Sequence, residues 1–74
     1  MWHYQIMKRT KGVTTWYELH EYYEFKDDDN SWTEEAITVS GVDVKDLKQV
    51  LKLMLKDAEE HGVRDYETGE LLDE

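Results

Sequence analysis

The sequence predicts a small α+β domain in which a three-stranded antiparallel sheet is followed by one amphipathic helix packed on one face (β-β-β-α). Two observations carry this prediction. Residues 1–39 contain three segments rich in aromatic and β-branched side chains, separated by turn-forming residues. Residues 44–58 instead repeat apolar side chains at spacings of three and four, which is the period of a helix.

The first two strands are expected to form a hairpin. Residues 2–9 alternate in the manner of a strand, and Lys11-Gly12 supplies a turn because glycine adopts positive φ readily. The second strand then covers residues 13–25. Because successive side chains point to opposite faces of a sheet, one set of this strand should face the core. That expected core set is Val13, Thr15, Tyr17, Leu19, Tyr23 and Phe25.

The third strand is expected over residues 32–39. A run of turn-forming residues, Asp27 to Ser31, precedes it and favours a second chain reversal. Ile37 and Val39 are expected to face inward, and the strand should end at Ser40-Gly41.

The helix is the strongest pattern in the chain. Asp43 is a good N-cap, and Gly62 after His61 is typical of the residue that follows a helix. We expect the side chains of the apolar stripe on this helix all to pack in the core. The stripe is Val44, Leu47, Val50, Leu51, Met54, Leu55 and Ala58. The lysines at 45, 48, 52 and 56 form either a solvated face or a contact with acidic segments of the same chain or a second copy.

We expect residues 1–64 to form a single domain and residues 65–74 to form an acidic, partly ordered C-terminal segment. A chain of this length buries only about 60% of its unfolded surface, so the core should be thin. Tyr66 and the pair Leu71-Leu72 either dock on the domain or form a short linear motif for a partner.

Charge and composition exclude several functions. The net charge is −9, and residues 27–43 and 59–74 each carry −6. Such a field repels phosphate and anionic lipid, so we expect no direct binding of nucleic acid and no membrane association. The absence of cysteine, of a leader-like N-terminus and of a long apolar run predicts a soluble protein of the reducing cytoplasm.

Catalytic and cofactor motifs are missing. No nucleophile lies in a recognisable constellation, and no two of the three histidines have a metal-ligand spacing. His20, beside Glu18, Tyr22 and Glu24 on one strand face, is the weak candidate for a metal ligand, and a half-exposed surface histidine is the alternative. We therefore expect no enzyme activity, no resident metal, no cofactor and no small-molecule substrate. A small enzyme or metal-site protein is the less favoured alternative.

The candidate binding site lies on the sheet face away from the helix. One helix covers one face of a small sheet, so aromatic side chains on the other face should form an interface. The proposed partner-binding residues are Trp16, Glu18, His20, Tyr22, Trp32 and Glu34. The partner would be a second copy of the chain or a basic protein surface. Two other readings stay open: the C-terminal segment folds over these residues, or they form the core face themselves.

The order of several short motifs also resembles a group of very short bacterial and phage proteins of unassigned function. The motifs are Trp2-x-Tyr4, Tyr17-x-Leu19-His20-Glu21-x-Tyr23, Trp32-Thr33-Glu34-Glu35, Ser40-Gly41 and Asp65-Tyr66-Glu67. The resemblance implies one compact domain in a prokaryotic or viral cytoplasm, and it implies no site residue.

In that setting a small acidic protein also resembles the inhibitors by which phages block host defence enzymes. Carboxylates would then imitate nucleic-acid phosphates, provided that the two acidic segments form one surface. The residues of this alternative surface are Asp27, Asp28, Asp29, Glu67 and Glu70.

Overall fold

The computed structural model describes residues 1–26 and 29–74, and within them it contains one helix and a five-stranded mixed sheet. The strands are β1 (Trp2–Lys11), β2 (Thr14–Tyr23), β3 (Ser31–Trp32), β4 (Val63–Asp65) and β5 (Leu71–Leu72), and the helix α1 covers Val44–His61. Their order across the sheet is β3-β2-β1-β4-β5. The α+β class is confirmed. The three-stranded antiparallel sheet is not, because β4 and β5 join the sheet and β4 runs parallel to β1.

The predicted β1–β2 hairpin is present. The two strands pair antiparallel along their whole length, from Trp2 opposite Tyr23 to Lys11 opposite Thr14. Gly12 closes the turn with a φ of +62°, a conformation that costs a residue with a Cβ about 1–2 kcal/mol.

The face of the hairpin that lies in the interior is the opposite of the one expected. The register places His3, Gln5 and Met7 on the same side as His20 and Tyr22, and all five are buried. We call these five residues the buried face. The expected core set is wrong, since Val13 is fully exposed and Tyr17 and Phe25 are 53% and 58% exposed. Both sides of β2 carry aromatic residues, so its alternation alone does not select a face.

The third strand is shorter than predicted. Only Ser31–Trp32 forms β3, and Val39 is 42% exposed rather than inward-facing. Beyond β3, the amides of Thr33 and Ile37 donate to the carbonyls of Glu21 and Leu19. Thr33 and Ile37 are four residues apart, whereas Glu21 and Leu19, which accept their hydrogen bonds, are only two residues apart. The residues between Thr33 and Ile37 therefore bulge out of the sheet, and regular strand pairing ends there.

The helix has the predicted bounds and cap. The Asp43 carboxylate accepts from the Asp46 amide at 2.8 Å, and Asp46 Oδ2 accepts from the Val42 amide at 3.1 Å. The burial of its apolar stripe differs from the expectation. Met54 is buried, whereas Val44, Leu51 and Leu55 are 68%, 48% and 62% exposed. One edge of the apolar stripe of α1 therefore packs in the core, and the other edge is exposed to solvent.

The C-terminal residues form a hairpin that crosses the boundary expected at residue 64. After Gly62, with φ +63°, the chain enters β4 and pairs Val63 with Ile6. Strand β5 then returns antiparallel, with Leu72 opposite Val63. Among the described residues, no helix has the length and apolar character needed to cross a membrane.

Candidate interaction surfaces

The centre of the buried face is a hydrogen-bonded group around His20. One ring nitrogen of His20 lies 2.7 Å from Glu18 Oε2, and the other lies 2.9 Å from the Thr33 carbonyl oxygen. The indole N–H of Trp16 donates to Glu18 Oε1 at 2.7 Å. Each ring nitrogen of this buried side chain therefore has a partner, as the interior requires.

Glu18 is held ionised by its neighbours. The hydrogen bond from Trp16 has the largest effect in lowering the pKa of the Glu18 carboxyl, His20 and Arg9 act in the same direction, and partial burial opposes them. Arg9 lies 3.6 Å from Glu18 and its guanidinium lies 3.9 Å from the centre of the Tyr66 ring. The group is thus a charge network that links β1 and β2 to the C-terminal hairpin.

A second polar group joins β1 to the end of the helix. Gln5 accepts from His3 at 2.8 Å and donates to the carbonyl oxygens of His61 and Gly62 at 3.3 and 2.9 Å. The rings of His3 and His61 stack with centroids 3.6 Å apart. The carbonyl groups of His61, the last residue of α1, and of Gly62 therefore have a side-chain partner, and the helix end is fixed on β1.

The C-terminal hairpin covers the buried face. The Arg64 guanidinium lies 4.6 Å from the centre of the Tyr22 ring and donates to the Gly69 carbonyl at 2.9 Å. Gly69, with φ +77°, lies so close to the Trp32 indole that an added Cβ would be 2.5 Å from a ring carbon. Trp32 in turn stacks on Tyr22. Only glycine fits at residue 69, and its contact with Trp32 closes the cover.

The structure brings most of the predicted partner-binding residues together, but on the inside. Trp16, Glu18, His20 and Tyr22 lie on one side of β2, and Trp32 is paired with Tyr22. His20 and Tyr22 are buried, so neither can contact a partner while the C-terminal hairpin is in place. Glu34 is exposed, and its backbone carbonyl accepts from the Tyr66 hydroxyl at 2.8 Å. Whether any of these residues binds a partner stays a prediction.

The exposed edge of the helix was not singled out from the sequence. Val44, Leu51 and Leu55 are separated by seven and four residues and therefore share one side of α1; we call these three residues the exposed stripe. A shallow depression beside it is lined by Val44, Lys45, Lys48, Gln49 and Lys52. The signal available in the sequence was the width of the apolar stripe, which is more than one small sheet can cover.

One group of side chains has metal-ligand geometry. Ligand atoms of Asp57, Glu60 and His61 lie within 4.8 Å of one another at the end of α1. The fold already uses two of these residues, since Asp57 accepts from the Tyr4 amide at 3.0 Å and His61 stacks on His3. Two of the three residues therefore have a structural role that involves no metal.

The two acidic segments meet in the fold. Gly69 packs on Trp32, and the Tyr66 hydroxyl donates to the Glu34 carbonyl, so the turn between β4 and β5 adjoins the chain after β3. Asp29, Glu67 and Glu70 are exposed. Asp27 and Asp28, the other two residues of the proposed acidic surface, lie outside the described residues.

Comparisons with known proteins give no relative for this chain. No protein-family model matches it, and no significant match was found among curated proteins or solved structures. The resemblance to short bacterial and phage proteins therefore stays a prediction.

Proposed function

We propose that the protein is a non-enzymatic protein-interaction module of the cytoplasm, which binds its partner through apolar side chains on its outside. The observation that carries the proposal is the distribution of apolar residues. Among the described residues, the buried side chains include only three large apolar ones, Met7, Tyr22 and Met54, while twelve large hydrophobic side chains are exposed. Where such side chains adjoin one another, as in the exposed stripe of α1, they are typical of interaction sites.

The total surface supports the same proposal. A folded monomer of 8.9 kDa has about 4,800 Å² of accessible surface, whereas this chain exposes 5707 Å². The excess of about 900 Å² is close to the roughly 800 Å² that each partner contributes to a standard interface. Association would remove about this excess from water.

Site-specific photo-crosslinking in extracts of the producing cell tests the proposal. A photoreactive phenylalanine derivative would replace Leu51 or Tyr17, which are both about half exposed, and Thr38, which lies outside α1, would serve as the exposed polar control. We expect protein adducts at Leu51 or Tyr17 that unmodified chain competes away, with fewer at Thr38. Equal labelling at the three positions, or labelling without competition, would contradict an interaction module.

A second candidate function is inhibition of a nucleic-acid-binding enzyme by an acidic surface. It is supported by the contact between the two acidic segments at Gly69–Trp32 and Tyr66–Glu34. Competition with DNA for a basic host nuclease at low salt tests it, since such binding depends on phosphate-like charge. Displacement of DNA that is lost when Glu67 and Glu70 are changed to glutamine would support mimicry, and no displacement would exclude it.

A further inference from the structure

We infer that the partner of the exposed stripe is an acidic amphipathic helix of another protein, an inference that rests on the proposed interaction function. The stripe has the spacing of a helix-pairing surface, because Val44 and Leu51 are one heptad apart and Leu55 follows one turn later. Helices bound in this way place apolar residues at three- and four-residue spacings against such a surface.

The positive charge beside the exposed stripe favours a partner that carries carboxylates. Lys48 occupies the helical turn between Val44 and Leu51, and Lys45, Lys48 and Lys52 line the adjoining depression. Residues 44–58 carry a net charge of +2 in a chain of net charge −9. A helix lying along the stripe would therefore have its flanking positions opposite ammonium groups, and carboxylates there are favoured.

The same lysines disfavour a second copy of this chain. In a two-fold pair of antiparallel α1 helices centred near Leu51, Lys48 and Lys52 of each copy lie near the axis and face like charges. Like charges across a helix pair oppose association and thereby specify a different partner.

The probe for the test is a synthetic helical peptide of about 20 residues, the length that spans α1, with leucine at its a and d positions and glutamate at e and g. A matched peptide has lysine in place of each glutamate. Fluorescence anisotropy measures the binding of both to the full chain at low and high salt. We expect the glutamate peptide to bind at least about tenfold more tightly than the lysine peptide, and this preference to decrease with salt.

Variants locate the site. Leu51→Ser combined with Leu55→Ser should weaken binding by about tenfold or more, because both leucines would be buried by the peptide. Leu53→Ser is the matched control, since Leu53 is 45% exposed on the opposite side of the same helix, and it should leave affinity unchanged. Lys48→Glu with Lys52→Glu should reverse the preference between the two peptides.

Several results would overturn the inference. These are equal binding of the two peptides, loss of affinity in Leu53→Ser equal to that of the double leucine variant, or no binding at all. Self-association in sedimentation velocity that the double leucine variant abolishes would assign the stripe to a second copy. Binding to phosphatidylserine vesicles without binding of the glutamate peptide would assign it to a membrane surface. In each case, the photo-crosslinking experiment tests the interaction function separately. Adducts with another protein that unmodified chain competes away would still support that function.

Discussion

The buried face of the β1–β2 hairpin and the exposed stripe of α1 invert the usual distribution of polar and apolar residues. The buried face includes His3, Gln5 and His20, and hydrogen bonds hold them there. The exposed stripe consists of aliphatic side chains, and no comparable network holds it. The comparison indicates that polar contacts help to specify the interior, while much of the apolar area of α1 is left on the surface. Four pairs of variants or conditions test this contrast between the two regions.

The largest difference is expected from matched truncations in the two regions. Met7→Ala removes a side chain that is 0% exposed and should lower the free energy of unfolding by about 2–4 kcal/mol. Leu55→Ala, in the exposed stripe, should cost about 1 kcal/mol or less because that side chain is largely in water. Urea unfolding at low protein concentration measures both, and equal losses would show that the stripe belongs to the core.

Alanine substitutions at Gly12 and Gly69 should differ in their cost to stability, because only Gly69 belongs to the cover over the buried face. Gly12 and Gly69 both have positive φ, but an added Cβ meets nothing within 4 Å at Gly12 and clashes with Trp32 at Gly69. Gly12→Ala should cost about 1 kcal/mol through the backbone alone. Gly69→Ala should cost about 2–3 kcal/mol because the cover must shift as well. Similar thermal midpoints for the two variants would mean that the Gly69–Trp32 contact contributes little.

Glu18 makes the stability of the buried face dependent on pH. Its pKa is lowered from the ordinary value of 4.5, first by the Trp16 hydrogen bond, so the folded state binds its proton less readily than the unfolded state. The resulting stability is fully present above pH 4.5 and is lost as the pH falls through the lowered value. In Glu18→Gln, the free energy of unfolding should therefore decrease less as the pH is lowered into the acidic range. If the variant loses as much stability at acidic pH as the parent chain, Glu18 is not the source of the pH dependence.

The smallest effect is expected from the exposed ion pair of Lys8 with Glu74. Their charged atoms are 2.8 Å apart at the surface, and Lys8 is the first cause that lowers the pKa of the Glu74 carboxyl, followed by Tyr17. Glu74→Gln should change stability slightly at low salt and not at high salt, because solvent ions screen exposed charges. The contribution of Glu18 to stability at acidic pH should persist at high salt, since that side chain is largely buried. Equal salt sensitivity of the two would contradict this distinction.

The sequence predicted the parts of the fold that depend on local patterns. The helix from Val44 to His61, its Asp43 cap and the turn at Gly12 follow from periodicity and conformational preference. Strands β4 and β5 are only three and two residues long, too short to show a period. Their stability comes from pairing with β1 and with each other, which is a property of the assembled sheet.

The candidate site shows the same limit. The aromatic residues Trp16, Tyr22 and Trp32 were correctly grouped on one side of the sheet. The cover over Tyr22 and Trp32, however, comes from Arg64 and Gly69, near the other end of the chain. The exposed stripe escaped prediction because helical periodicity identifies an apolar side and does not say how much of it the rest of the molecule covers.

The pairing of β4 with β1 also bears on the order in which the molecule assembles. A hydrogen bond joins Gln5 to Gly62 across 57 residues, so a long loop must close before the C-terminal hairpin can reach the sheet. We expect the β1–β2 hairpin to form first, because it needs only neighbouring residues. A chain whose C-terminal hairpin has not docked lacks the contacts of Tyr66 with His20 and of Arg64 with Tyr22, and we expect this open form to be the one most accessible to proteases and to aggregation.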